Sequence, residues 1–445
     1  MTPDLVRRMS APVPRYTSYP TAPHFSASVG PMDFGEGLRR LTPSQALSLY
    51  VHIPFCAQLC WYCGCNTKAT RNTDTIQRYL EHLRTEILMV AALLPGNKPL
   101  THIHWGGGSP NSLSAAQIRS LADTLRKSFH FGSETEFAVE IDPRWLDDDQ
   151  IAAFADSGVN RASIGVQDFN PQVQTAINRV QSVEMTKRAV DGLRKAGVGG
   201  VNIDLVYGLP HQTRDSVANT IMEVIKLEPD RIALFGYAHL PSRAKHQSMI
   251  DESTLPDSVE RFAQSRRAQR LLTEAGYVTI GLDHFARPGD KLASGEIKRN
   301  FQGYTTDKAD ALIGVGASSI SQLPTGYFQN AVPRQDYERR VADTGLATVK
   351  GILLTDEDKM RASVIERLMC DFEFSRSSLQ NVFGQRAQTV IEEAEQLLAS
   401  DQEGLVEKTP DGFRVTPRGQ PFVRAIAACF DAYLESGNVR FSAGV

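Results

Sequence analysis

Four of the six cysteines lie in one stretch, Tyr50-Val-His-Ile-Pro-Phe-Cys-Ala-Gln-Leu-Cys-Trp-Tyr-Cys-Gly-Cys65. Thiolates crowded this closely are soft, anionic ligands, suited to zinc or to an iron–sulfur cluster. A structural zinc site takes two separated pairs that close a tetrahedron. Cys56, Cys60 and Cys63 instead form C-x3-C-x2-C with no second pair downstream. A zinc knuckle or a set of core cysteines is therefore the weaker reading. Three thiolates on a four-iron cubane leave one iron open to a small molecule. The rest of the chain is organised around this loop.

From Leu47 onward the pattern alternates strand and helix. Strands are expected at 47–55, 101–105, 137–141, 162–167, 201–206, 232–237 and 277–282, with a weaker one at 311–318. Helices are expected at 76–94, 114–129, 149–156, 183–196, 216–227 and 259–275, the second opened by the capping box Ser114-x-x-Gln117. Such alternation implies right-handed crossovers and a parallel sheet. At least six units suit an α/β fold with an open or partial TIM-like (β/α) barrel. A closed eight-fold barrel is the rival, and a flat doubly wound sheet comes third. Barrel sites sit at the C-terminal ends of strands. Cys56, Gly106–Ser109, Glu140 and Gln167 all fall there.

At 445 residues the chain is long enough for two domains. The expected division is an arm at 1–40, a catalytic domain at 41–354 and a smaller, mostly helical, winged-helix-like domain at 355–445. The last is read from helices at 359–370, 375–382, 389–398 and 422–434 and a hairpin turning at Pro410-Asp-Gly412. Its third helix carries Glu392, Glu393 and Glu395 rather than a basic stripe, so it reads as a cap on the barrel, not a DNA reader. The arm has no clear period, yet three aromatics, Tyr16, Tyr19 and Phe25, predict that it packs on the body. Net charge of −3 gives no reason to expect nucleic acid or a membrane as partner, and no apolar run could span a bilayer. A cytoplasmic location is the resulting expectation.

C-x3-C-x2-C after a strand, with Tyr62 before the last cysteine, resembles the radical S-adenosylmethionine (SAM) superfamily. The stretch YVHIPFC…CWYCGC, with Pro14-Arg-Tyr-Thr-Ser-Tyr-Pro-Thr21 and Cys429-Phe-Asp-Ala-Tyr433, resembles the oxygen-independent coproporphyrinogen III oxidase family over nearly the whole chain. The resemblance implies a [4Fe-4S] cluster on Cys56, Cys60 and Cys63, and two SAM per turnover. Gly107, Gly108 and Ser109 match the loop that meets the methionyl amino group of SAM. Glu140 matches a SAM ligand, although the residues alone allow an edge charge facing solvent. Gln167, Arg179 and Asp204 match positions around a second SAM; otherwise each is a structural polar residue. Ala238 and Ile320 match apolar or backbone contacts to SAM, with simple packing as the bland alternative, and Tyr62 joins the cofactor contacts. Tyr50 and His52 share a strand face. Family likeness implies that Tyr50 stacks near SAM and that His52 serves catalysis. Cys65 is expected not to ligate, but to line the second-SAM or substrate region with a part in catalysis.

The implied reaction is oxidative decarboxylation of two propionates of coproporphyrinogen III to the vinyl groups of protoporphyrinogen IX by a 5′-deoxyadenosyl radical, in anaerobic haem synthesis. Arg15, Arg287 and Arg299 are candidate partners for the propionates. The arm is implied to lie across the opening. An electron donor such as a flavodoxin-type protein and a monomeric state are expected. Alternatives are a haem-binding carrier or another radical SAM enzyme, a methyltransferase or a porphyrin-opening enzyme. The RYTSYPT arm, Cys65, Gly281–Arg287 and Asn300–Tyr304 favour the oxidase over the carrier.

Overall fold

The structure is a computed structural model and describes residues 1–96, 99–434 and 441. One sheet holds twelve strands: β1 (Leu47–Ile53), β2 (Pro99–Gly107), β3 (His130–Ile141), β4 (Arg161–Gln167), β5 (Gly200–Tyr207), β6 (Arg231–Gly236), β7 (Val278–Ile280), β8 (His284–Ala286), β9 (Ala311–Val315), β10 (Ile320–Leu323), β11 (Gly326–Asn330) and β12 (Thr348–Leu353). Their spatial order is β12-β11-β10-β9-β1-β2-β3-β4-β5-β6-β8-β7. The run from β9 through β1 to β6 is parallel. Antiparallel strands extend both edges. The edge strands β12 and β7 do not pair with each other, so the barrel is partial and the closed eight-fold alternative falls.

Strand parity explains the layering. Val51, Trp105, Val139, Ile164, Ile203 and Leu234 point one way and are buried in a large apolar core with the flanking helices. The opposite parity is polar and faces the barrel interior: Tyr50 beside His104, Glu140 beside Ser163, then Asp204. At the N-terminal end of the interior, Arg231 Nε meets Asp290 Oδ1 at 2.8 Å and Arg161 Nε meets Glu136 Oε2 at 3.3 Å. Paired charge closes the base and leaves the other end for the site.

Three regions differ from the sequence-based expectation. Tyr277–Leu282 does not supply a further parallel strand; β7 is short and turns back through Gly281 (φ +53°) into β8. Strands β10–β12 were not anticipated at all. The arm holds two helices, Pro3–Met9 and Pro31–Arg39. It is also divided between two cores. Leu5, Val6, Val13, Tyr16 and Tyr19 join the apolar cluster of the C-terminal region, whereas Phe34 and Leu38 join the barrel core. The three arm aromatics are buried, as expected. Tyr16 Oη donates to Asp431 Oδ2 at 3.0 Å, Tyr19 Oη accepts from Ala432 N at 3.0 Å, and Phe25 stacks on Tyr327.

The C-terminal region contains helices Asp356–Asp371, Arg376–Phe383 and Gln388–Ser400, and the hairpin Val406–Thr409 with Gly412–Val415. An unanticipated strand, Glu373–Ser375, adds to the hairpin. Among the described residues the last helix is Val423–Ala428, which ends before Asp431 turns its carboxylate to Tyr433 N and Tyr16. Positions 435–440 and 442–445 of the expected last domain lie outside the described residues. Among the described residues no helix is long and apolar enough to cross a membrane.

Candidate active site

The chain leaves β1 at Ile53 and enters the cysteine loop through Phe55–Cys56. The glycine loop after β2 is stitched to it. Gly108 N donates to Ile53 O at 2.9 Å and Ser109 N to Phe55 O at 2.7 Å. Glycine is required here. A Cβ at Gly108 would stand 2.5 Å from Phe55 O, and one at Gly107, where φ is +99°, 2.1 Å from the His52 ring. Ser109 Oγ lies 3.7 Å and Thr67 Oγ1 3.2 Å from Cys56 Sγ.

His52 is fixed from both sides. Its Nε2 is 3.0 Å from Asn66 O and its Nδ1 is 3.0 Å from Tyr50 Oη. A carbonyl only accepts, so Nε2 carries the proton and Nδ1 accepts from the phenol. Burial lowers the pKa of the ring and favours its neutral form. Tyr50 stacks on His104 with centroids 5.9 Å apart. His104 Nε2 lies 2.9 Å from Glu140 Oε1, and Glu140 Oε2 accepts from Gly107 N at 3.0 Å. Glu140 is therefore a paired group at the strand end, not an edge charge left to solvent. Ser163 Oγ is 3.0 Å from both oxygens of Asp204. Burial, reinforced by the Glu140 charge, pushes the Asp204 carboxyl up to about 6.

Cys60 faces two cations. Arg144 Nη2 reaches its Sγ at 3.4 Å and Arg179 Nη1 at 3.6 Å. Both arginines share one buried carboxylate, Asp142, at 2.7 Å and 3.4 Å. Burial opposes ionisation of Asp142, but the two guanidiniums hold its pKa below the usual carboxylate range. Two arginines on one carboxylate leave net positive charge beside the Cys60 sulfur. Sequence reasoning missed Asp142 and Arg144. The available signal was an acid at the strand end just past Glu140, in Glu140-Ile-Asp-Pro-Arg144.

Gln167 adopts φ +71°, the left-handed region, although it is not glycine. A Cβ on Gly165 would come within 2.9 Å of Gln167 Nε2 and 3.0 Å of Arg179 Nη2, so both side chains lie over that glycine. Tyr62 and Ala238 are joined by a residue that sequence reasoning passed over: Gln247 Nε2 donates to both carbonyls, at 2.9 and 3.1 Å. His246 Nε2 donates to Cys63 O at 2.6 Å. Ile320 presents its backbone to Gly314, the register partner of Tyr50. Cys65 is exposed, and its N–H donates to Cys63 Sγ at 3.4 Å. Of the three candidate propionate partners, two come together. Arg15 Nη2 donates to Gly236 O at 2.8 Å and Arg299 Nη2 to Arg15 O at 3.4 Å. Arg287 does not join them. Its Nε donates to Pro229 O at 3.2 Å, ahead of β6, at the opposite end of the barrel from Cys56.

Residues 50–224 match the Radical SAM superfamily and residues 354–422 the HemN C-terminal domain. The oxygen-independent coproporphyrinogen III oxidase of Bradyrhizobium diazoefficiens is 45% identical over 437 residues, covering 97% of each chain. That of Paracoccus denitrificans is 44% identical over 428 residues, covering 95% of this chain and 94% of the relative. A solved structure of coproporphyrinogen III oxidase (HemN) from Escherichia coli, described as a radical SAM enzyme, superposes with a TM-score of 0.90 at 40% identity, over 94% of this chain and 98% of that one. The chain belongs to the oxygen-independent coproporphyrinogen III oxidases.

An oxidase of this family is an oxidoreductase that works with a [4Fe-4S] cluster and SAM. The residues present fit that cofactor set. The thiols of Cys56, Cys60 and Cys63 stand on one loop, and two guanidiniums face Cys60, a donor set suited to an anionic iron–sulfur cluster. The glycine loop, with no side chain on Gly107 or Gly108, lets a ligand approach the backbone next to it.

Proposed function

We propose that this oxidase converts coproporphyrinogen III to protoporphyrinogen IX by oxygen-independent oxidative decarboxylation of two propionates, in the cytoplasm and as a monomer. The observation that carries this reading is kinship over 97% of both chains, together with a cysteine loop, glycine loop and Glu140 gathered at one barrel mouth. Bound there, the cluster and two SAM per substrate would supply a reagent strong enough to take hydrogen from a propionate carbon.

The chain's own residues bind, orient and exclude water. Cys56, Cys60 and Cys63 hold the cluster, and Arg144 and Arg179 offset its negative charge. Gly107, Gly108, Ser109 and Glu140 take the amino end of SAM. Tyr50, Tyr62, Gln167, Arg179, Asp204, Ala238 and Ile320 complete the cofactor walls. Neutral His52 keeps its proton on Nε2, directed at Asn66 O, and so holds the cysteine loop while Tyr50 is fixed against it. Cys65 stays outside the cluster and borders the substrate. Residues 1–40 cover the opening, 41–354 carry the chemistry and 355–445 buttress it. A flavodoxin-type protein supplies the electron.

The test is anaerobic reconstitution with iron and sulfide, then incubation with coproporphyrinogen III, SAM and a reductant. The expected products are protoporphyrinogen IX with methionine and 5′-deoxyadenosine. SAM cleavage that yields a methylated or ring-opened tetrapyrrole instead would overturn the reading.

A further inference from the structure

Beside the mouth lies a second polar cavity, lined by Arg15, Tyr207, Arg261, Asp283, Arg299 and Arg424 among others. Besides strand ends of the barrel, its walls draw on the arm, the helix Ser258–Glu274, the strand Lys298–Asn300 and the C-terminal helix Val423–Ala428. Tyr207 and Gly236 end β5 and β6, so the cavity shares the C-terminal end of the barrel with Cys56 and Glu140.

Cations outnumber carboxylates here. Arg299 lies 3.8 Å from Asp283 and over the Tyr304 ring at 4.4 Å, and its Nε has no hydrogen-bond partner. Arg261 occupies a slot cut by glycines. A Cβ on Gly208 would stand 2.5 Å from its Nη1 and one on Gly236 3.2 Å from its Nη2, while its guanidinium lies over Tyr207 at 5.8 Å. Its Nε also lacks a partner. Burial first, and then Arg15, lowers the Arg261 pKa. Arg424 Nε donates to Pro14 O at 3.0 Å, and Arg424 Nη2 to Val13 O. Through these two carbonyls it ties the arm to the cavity wall. Cations grouped and desolvated in this way carry a free-energy cost that an anion would relieve. A guanidinium fork matches a carboxylate in shape and charge.

The geometry points to this cavity as a carboxylate subsite, in which Arg261 and Arg299 hold a propionate of the tetrapyrrole that is not reacting and Arg15 closes over it from the arm. The inference rests on the activity proposed above and adds Arg261 as the central anchor. Its test uses the full-length, anaerobically reconstituted protein titrated with coproporphyrin III, the oxidised macrocycle with the same four propionates, and with its tetramethyl ester. Arg261→Gln and Arg299→Gln should each raise the Kd for coproporphyrin III by roughly 10- to 100-fold. Arg261→Lys should recover part of that loss. Ester binding should be equally weak in all of them, iron content should match wild type, and Arg270→Gln on the outer face of the same helix should change nothing. Unchanged coproporphyrin III affinity in Arg261→Gln, in a wild type that binds and forms vinyl product, overturns the subsite alone. Wild-type protein that neither binds nor reacts overturns both readings. Should Arg299→Gln lose its iron, Arg261→Gln decides.

Discussion

Two groups of arginines stand at the same end of the barrel under opposite accounts of charge. Beside Cys60, Arg144 and Arg179 share the buried Asp142, and each also faces a thiol. In the neighbouring cavity Arg15, Arg261 and Arg299 line the wall with Asp283. The first group shares a carboxylate within the fold, and the charge left over faces the sulfur of Cys60. The second is under-compensated, so its partner comes from outside. The residue type is the same; how closely a carboxylate pairs with each guanidinium separates the two groups.

The largest expected effect lies in the first group. Cys60→Ser removes the atom that both arginines face, and iron per chain should fall to near zero with activity undetectable. Cys65→Ser should retain iron. Iron analysis and the visible spectrum of reconstituted protein check both.

Next comes stability. Arg179→Leu leaves a buried carboxylate short of a partner and should cost about 3–5 kcal/mol in urea unfolding. Arg261→Leu relieves like-charge crowding and should cost less than about 1 kcal/mol. Equal losses would erase the distinction drawn above.

A third test concerns acid. Burial tends to raise the Asp283 pKa, but Arg299, His284 and Arg15 hold it down to about 2, against 3.8 for the free side chain. A depressed carboxylate adds stability that is present above the unfolded pKa and lost as pH falls from about 4 towards 2. The amount is on the order of 2 kcal/mol. Urea midpoints at pH 5 and pH 2.5 should converge more in Asp283→Asn than in wild type. An identical pH response would show that Asp283 does not balance these arginines.

The smallest effect belongs to the arm. Tyr16→Phe loses the 3.0 Å bond to Asp431 and should cost about 1 kcal/mol. Slightly faster proteolysis within residues 1–30, at unchanged iron content, is the readout.

The parallel core was legible because each strand and helix carries its own period and caps. Ser114 and Gln117, for example, form the capping box that their spacing predicts. The edges were not legible. β7 and β8 lie either side of a turn at Gly281, and local alternation says nothing about strand direction. The arm helices were missed for a different reason. Pro3–Met9 is one short piece whose buried Leu5 and Val6 join a cluster built mostly from the C-terminal region, Phe422 and Ile426 among its members. At the site, the cysteines and glycines announced themselves by spacing. Asp142 and Gln247 did not, since each acts by joining segments that only folding brings together. Arg287 shows the converse error. It sits in a segment with family likeness, but the turn after β8 carries it to the wrong end of the barrel.

The threading of the arm sets an order of events during synthesis. Val13, Pro14, Tyr16 and Tyr19 leave the ribosome first, yet the groups that clasp them, Arg424, Asp431 and Ala432, leave among the last. Until then the arm has only its earlier-made partners, such as Gly236 O for Arg15 and Tyr327 for Phe25. The clasp between Val13–Tyr19 and the C-terminal residues is therefore the last part of the arm's seat to form.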